Sequence, residues 1–179
     1  KRLATTFRRD WYDYAEGDVP LMRDVDVSDD MIERYGLVLF GSPDTNKLIK
    51  RIAPDLPFRF SANKLVLPDG RVLPREKTGL ILTYPNPLAP DRYVLIYSGL
   101  QWGKGCSDNH KFDRLPDFTV FTSDVVEPLG INRYLAAGFF DEHWQYSPAL
   151  TDFADTATGQ ARAAEESGSK QQPSNGNLR

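Results

Sequence analysis

Two histidines, His110 and His143, and one cysteine, Cys106, are the side chains of this 179-residue chain suited to act as a base or a soft nucleophile near neutral pH. Nucleophilic catalysis would need one of the histidines beside a serine or the cysteine, with an acid to orient it. Cys106 stands four residues before His110 in GCSDNHKF, which suggests a thiolate pair or half a metal site, but two ligands without partners at metal spacing do not make a site. His143 lies in FFDEHWQY between acids and a tryptophan, and shares a face with Asp141 only if that segment is extended. The carboxylate pairs have structural explanations: Asp29 and Asp30 suit a helix start, and Asp24 and Asp26 an exposed edge. Hence no catalytic residue and no metal ligand is assigned, and no cofactor is implied.

The stretch LVLFGSPDTN, residues 37 to 46, raises a binding question instead. A strand that runs into a helix N-terminus presents free N–H groups and a positive dipole end, which suits phosphate or carboxylate. Against capture, there is one glycine, no Gly-Lys-Ser/Thr, and a proline that removes a donor. The turn therefore reads first as a capped junction in a scaffold, with Ser42 as N-cap and Pro43 at the first helical position. Were it a ligand site, Gly41, Ser42 and Asn46 would form it, joined by the strand-end residues Asn86, Ser98 and Trp102. Trp102 is placed to line a crevice at the carboxyl edge of a sheet. Gly41-Ser42-Pro43 is not a nucleophile elbow, because the second glycine is missing.

The elements that must position these residues follow from periodicity. Leu3, Phe7, Trp11 and Tyr14 mark one helical face, which leaves Tyr12 pointing elsewhere and makes Trp11 and Tyr14 core rather than a sugar platform. Ser28 caps a short helix with Val27 and Ile32 as its staple. Residues 37 to 40 read as a buried strand, and the helix after them buries Leu48, Ile49 and Ile52 and stops before Pro54. Segments 57 to 61, 64 to 67 and 71 to 73 read as short strands with a Pro-Asp-Gly turn at 68 to 70. Further strands are expected at 79 to 84, 93 to 98 and 118 to 122, with a rigid proline-rich loop at 85 to 92 and a terminal strand within 134 to 144. Helices alternating with buried strands predict a layered α/β sandwich, flavodoxin- or Rossmann-like, with a mostly parallel, mixed sheet. In that fold a strand should precede the first helix, which places one upstream of Lys1.

Composition bounds the rest. One domain over residues 1 to 150 is expected, followed by a disordered tail over 151 to 179 that is polar and rich in small residues. Twenty-two basic against twenty-five acidic residues leave a net charge of −3, so nothing favours nucleic acid or an anionic membrane as partner. No apolar run is long enough for a membrane span. One cysteine excludes an internal disulfide.

Four phrases in order, YGLVLFGSPDTNKLIKRIAPDLPFRF, TYPNPLAPDRYVLIYSG, LPDFTVF and YLAAGFFDEHWQ, resemble the region that follows the catalytic domain in bacterial secreted α/β-hydrolases of the prolyl-oligopeptidase-like or esterase-like kind. The similarity covers residues 3 to 146. It implies a non-catalytic C-terminal accessory domain, secreted or periplasmic, of a serine peptidase or esterase. It further implies that the partner is the upstream catalytic domain of the same polypeptide, that the Ser, Asp and His of the triad lie there, and that this domain shapes or covers the substrate entrance or binds polymer near it. Gly41, Asn46, Pro85, Asn86, Pro87, Gly99 and Asp117 are the positions the resemblance carries over, without roles. The alternative from the residues alone is a stand-alone flavodoxin-like domain or enzyme that binds a small ligand or anion at the Gly41 to Asn46 turn.

Overall fold

A computed structural model describes residues 2–106, 112–113 and 115–154. Helix α1 (Arg2–Ala15) comes first, then α2 (Asp29–Arg34), strand β1 (Leu37–Phe40) and helix α3 (Lys47–Ile52), which runs on into a 3-10 turn at Ala53–Asp55. Short strands β2 (Arg59–Phe60), β3 (Lys64–Val66) and β4 (Val72–Pro74) form one antiparallel sheet, followed by a 3-10 turn at Arg75–Lys77. Long strands β5 (Gly79–Asn86), β6 (Ala89–Ser98), β7 (Phe118–Val126), β8 (Ile131–Phe140) and β9 (Tyr146–Phe153) join β1 in a six-stranded sheet of order β1-β6-β5-β7-β8-β9.

This overturns the layered α/β sandwich. Only β1 and β6 pair in parallel; β5–β6, β5–β7, β7–β8 and β8–β9 are all antiparallel, so the described chain is mostly β. The reason lies in residues 85 to 92, the expected rigid loop. Pro85 pairs with Tyr93 and Asn86 with Ala89, and the Asn86 Oδ1 accepts from Leu88 N–H at 3.1 Å to close a tight hairpin turn. A hairpin returns the chain antiparallel, whereas parallel neighbours need a crossover of a dozen or more residues. The apolar runs GLILTY and YVLIYS suggested parallel strands because both faces are buried. They are buried here by two different clusters. Leu80, Leu82, Val94, Ile96, Phe118 and Val120 point to the main core, which is completed by Ile32, Leu39, Ile49, Ile52, Phe58 and Leu65. Ile81, Tyr97 and Phe121 point to the opposite face, where Phe7 of α1 covers them. The doubly wound pattern that asked for a strand ahead of α1 is not the pattern of this sheet.

Local chemistry explains the short helices. Ser28 Oγ accepts from Met31 N–H at 3.3 Å, and Val27 and Ile32 both pack in the main core, so the capped, stapled start of α2 forms as the sequence indicates. The helix after β1 starts four residues later than expected. Ser42 opens a separate turn, with its carbonyl accepting from Thr45 and Asn46 N–H at 2.9 Å each. Asn46 then goes extended (φ −141°) and is the true N-cap of α3. Leu48, Ile49 and Ile52 are buried as expected.

On α1 the apolar face is real at Phe7, which is buried, and at Trp11, stacked on Phe7 at 5.8 Å. Tyr14, expected in the core, is 42% exposed at the end of the helix. The last strand, β9, continues to Phe153, three residues past the boundary drawn at 150, and from residue 155 the expected tail lies outside the described residues. Among the described residues no helix is long and apolar enough to cross a membrane.

Candidate functional site

The parallel pair ends at Phe40 and Ser98, and β5 begins beside them, with Leu80 opposite Ser98. Chain leaves the sheet there through Gly41 and Gly99, both at positive φ (118° and 79°), and a Cβ on Gly99 would run into the Thr78 carbonyl. Small residues at strand ends leave space. A cleft of about 660 Å³ opens between these ends and the β2–β4 sheet, lined by Gly41, Ser42, Thr45, Thr78, Ser98 and Gly99 on one side. Its other walls are Phe60, Ala62, Asn63, Leu65, Pro74 and Arg75, with Glu76 beside them and Leu80 also in the lining. The volume is in the range of small-molecule sites, while the lining is more polar than is usual for them, with Ser42, Thr45, Asn63, Arg75, Glu76, Thr78 and Ser98 all contributing.

Polar contacts hold the cleft in shape. Ser42 N–H donates to Thr45 Oγ1 at 3.0 Å, and the two hydroxyls lie 3.4 Å apart. Thr78 Oγ1 donates to the Pro74 carbonyl at 2.8 Å. Arg75 crosses from the small sheet to the β1–α3 turn. Its Nη1 meets Asp44 Oδ2 at 2.8 Å, the Ala62 carbonyl at 3.3 Å and the Ser61 carbonyl.

The residues singled out from sequence divide among four places. Gly41, Ser42 and Ser98 meet in the cleft. Asn46 stands behind it as a support: its Oδ1 accepts from Leu48 and Ile49 N–H at 2.9 and 3.1 Å, and its Nδ2 donates to the Phe40 carbonyl at 3.3 Å. Asn86 is at the far end of the β5–β6 hairpin, 1% exposed, with its Nδ2 unpartnered. Leu80 lines the cleft and Asn86 is six residues further along β5, so the two are separated by roughly 20 Å. Trp102 is on the other face of the sheet, edge-on to Phe121 at 4.9 Å, where it lines a cavity of about 40 Å³ with Phe7, Asp10, Phe40 and Tyr97. Burial in that apolar setting pushes the Tyr97 hydroxyl far above the ordinary tyrosine range.

The anion reading of the turn meets occupied donors. Leu48 and Ile49 N–H go to Asn46, and Lys47 N–H goes to Asp24 Oδ2 at 2.6 Å. Asp24, expected at a free edge, is thus a second cap on α3, and its carboxylate sits where an anion would have to approach.

His143 is exposed on the β8–β9 turn, its Nε2 3.9 Å from Glu142 Oε1. Asp141 serves the backbone rather than the imidazole: its Oδ1 accepts from His143 N–H at 2.9 Å and Gln145 N–H at 2.8 Å. Tyr84 Oη donates to the Trp144 carbonyl at 3.3 Å, which fixes this turn at the Asn86 end of the sheet, a strand length from Ser42 and Ser98. Cys106 is half-buried, while His110, its suggested partner, lies outside the described residues. Among the described residues no three His, Cys, Asp or Glu side chains are grouped to hold a metal. Asp29 and Asp30 occupy the first turn of α2, paired with Arg51 at 3.1 Å and Arg34 at 3.4 Å.

Sequence reasoning missed Thr45, Asn63, Thr78 and Arg75, all in the cleft wall. The hydroxyls carry no distinguishing signal. Arg75 does have one, since it follows the small sheet's last strand directly, but its value depends on knowing that this sheet folds back over β1. Of the positions carried by the resemblance, Asp117 is a clasp: its Oδ2 accepts from Phe140 N–H at 3.0 Å and its carbonyl from Thr83 N–H at 2.6 Å. No protein-family model, curated protein or solved structure matches the chain.

Proposed function

We propose that this chain is a non-catalytic accessory domain of a larger secreted bacterial hydrolase, peptidase or esterase, and that its cleft holds part of a polymeric substrate beside the entrance to the catalytic domain. One observation carries the reading: the cleft of about 660 Å³ joins three strand ends to the small sheet, while its serines are a sheet length from the imidazole of His143. Such a site offers shape, hydroxyls and an arginine, which are means of holding a ligand. The serine-hydrolase partner and the secreted setting come from the resemblance of residues 3 to 146.

Labelling of the native polypeptide with a serine-directed fluorophosphonate, followed by peptide mapping, tests this. The expected result is a labelled serine outside these 179 residues. Label on Ser42 or Ser98 would make this chain the enzyme, and absence of any label would remove the serine hydrolase from the account.

A further inference from the structure

We infer that the ligand of this cleft carries a carboxylate, received by the Nε/Nη2 edge of Arg75; the inference rests on the cleft being a binding site. A guanidinium has five N–H donors in a planar fork. All the side-chain hydrogen bonds described for Arg75 use one corner of it, Nη1, which meets Asp44, Ser61 and Ala62. Among the described residues, Nε and Nη2 donate to nothing. The side chain is only 21% exposed and lines the cleft, so these donors are fixed in a wall rather than sampling open solvent.

Two parallel N–H groups on one edge match the two oxygens of a carboxylate, the geometry in which arginine outperforms lysine. Asp44 stabilises the guanidinium from the opposite side and aims it, much as an outer carboxylate orients a ligand-binding group. The hydroxyls of Ser98 and Thr45 and the amide of Asn63 share the lining and suit a neutral polar remainder, with Phe60, Leu65 and Leu80 as the apolar floor. Glu76, also in the lining, disfavours a polyanion and so favours one carboxylate per ligand. Two polymers offer that chemistry: a polypeptide at its C-terminus and a polysaccharide at a sugar acid.

The test is calorimetric titration of the chain with four probes. One pair is an N-acetylated tetra-alanine with a free or an amidated C-terminus; the other is a xylo-oligosaccharide bearing one glucuronic acid, or its methyl ester. The acid of one pair should bind about tenfold or more tighter than its neutral counterpart, as expected for a charge-assisted, bidentate contact, and the pair that responds identifies the polymer. Arg75→Lys should remove most of that difference, and Ser98→Ala should weaken binding a few-fold without changing the melting temperature. Because Arg75 also ties residues 61 and 62 to Asp44, the acid–neutral comparison on the unaltered chain decides the question independently of any variant. Equal affinity within both pairs, or no binding of any probe, overturns the carboxylate. Neither result touches the fluorophosphonate experiment, which alone tests the accessory-domain reading.

Discussion

Where β5 begins and β6 ends, glycines and hydroxyls leave a cleft; where β5 ends and β6 begins, aromatic rings fill the space. At the second end Tyr84, Phe140 and Trp144 contact one another at 5.2 to 6.0 Å, and Tyr93 lies 5.3 Å from Trp144. The same hairpin therefore closes one end of the sheet by packing and opens the other. Packing at the closed end is made of large surfaces with little polar character, so it stabilises. The open end gains less from burial, and its polar groups are held instead by hydrogen bonds, local at Ser42–Thr45 and Thr78–Pro74 and long-range at Arg75. A function that needs a ligand falls to the end that packing has left unfilled.

Substitutions can break or sharpen this contrast. Phe140 is 6% exposed and touches Tyr84, Phe118 and Trp144, so Phe140→Ala should cost about 3–5 kcal/mol in denaturant unfolding. A loss under about 1 kcal/mol would mean the aromatic end is loosely packed. Asn46→Ala removes two capping bonds and the tie to Phe40, and should cost about 1–2 kcal/mol while leaving the sheet intact. The smallest effect is expected at the open end: Ser98→Ala should change stability by no more than about 0.5 kcal/mol, since no hydrogen bond of its hydroxyl is described. If Ser98→Ala were as costly as Asn46→Ala, the cleft hydroxyls would be structural and the contrast would fail.

Local grammar was readable in advance, and long-range pairing was not. The Ser28 cap with its Val27 and Ile32 staple, and the Pro-Asp-Gly turn, depend on residues a few positions apart, and each formed where expected. Strand direction depends on how a strand is connected. Three prolines between residues 85 and 92 hid a hairpin, because proline is unusual in paired strands, yet Pro85 and Pro90 lie within β5 and β6. Continuous apolar runs then read as parallel strands, although a helix on one face and a second core on the other bury antiparallel strands equally well. Ser42 and Asn46 show the same limit at short range: both are good caps, and only the turn from Ser42 to Thr45 decides between them. The site was half legible. Gly41, Ser42 and Ser98 were chosen as strand ends and do meet, whereas Asn86 and Trp102 were also strand-end choices and do not. Which end of a hairpin a residue occupies is invisible until the hairpin is known.

The most direct measurement is amide chemical-shift mapping of the chain while it is titrated with the free-acid peptide and then with the glucuronic acid oligosaccharide. The account predicts that perturbations gather at residues 41 to 45, 75 to 78, 98 and 99, with residues 84 to 86, 93 and 140 to 146 unmoved. Perturbations centred on the aromatic end, with residues 41 to 45 and 75 to 78 unmoved, would contradict it.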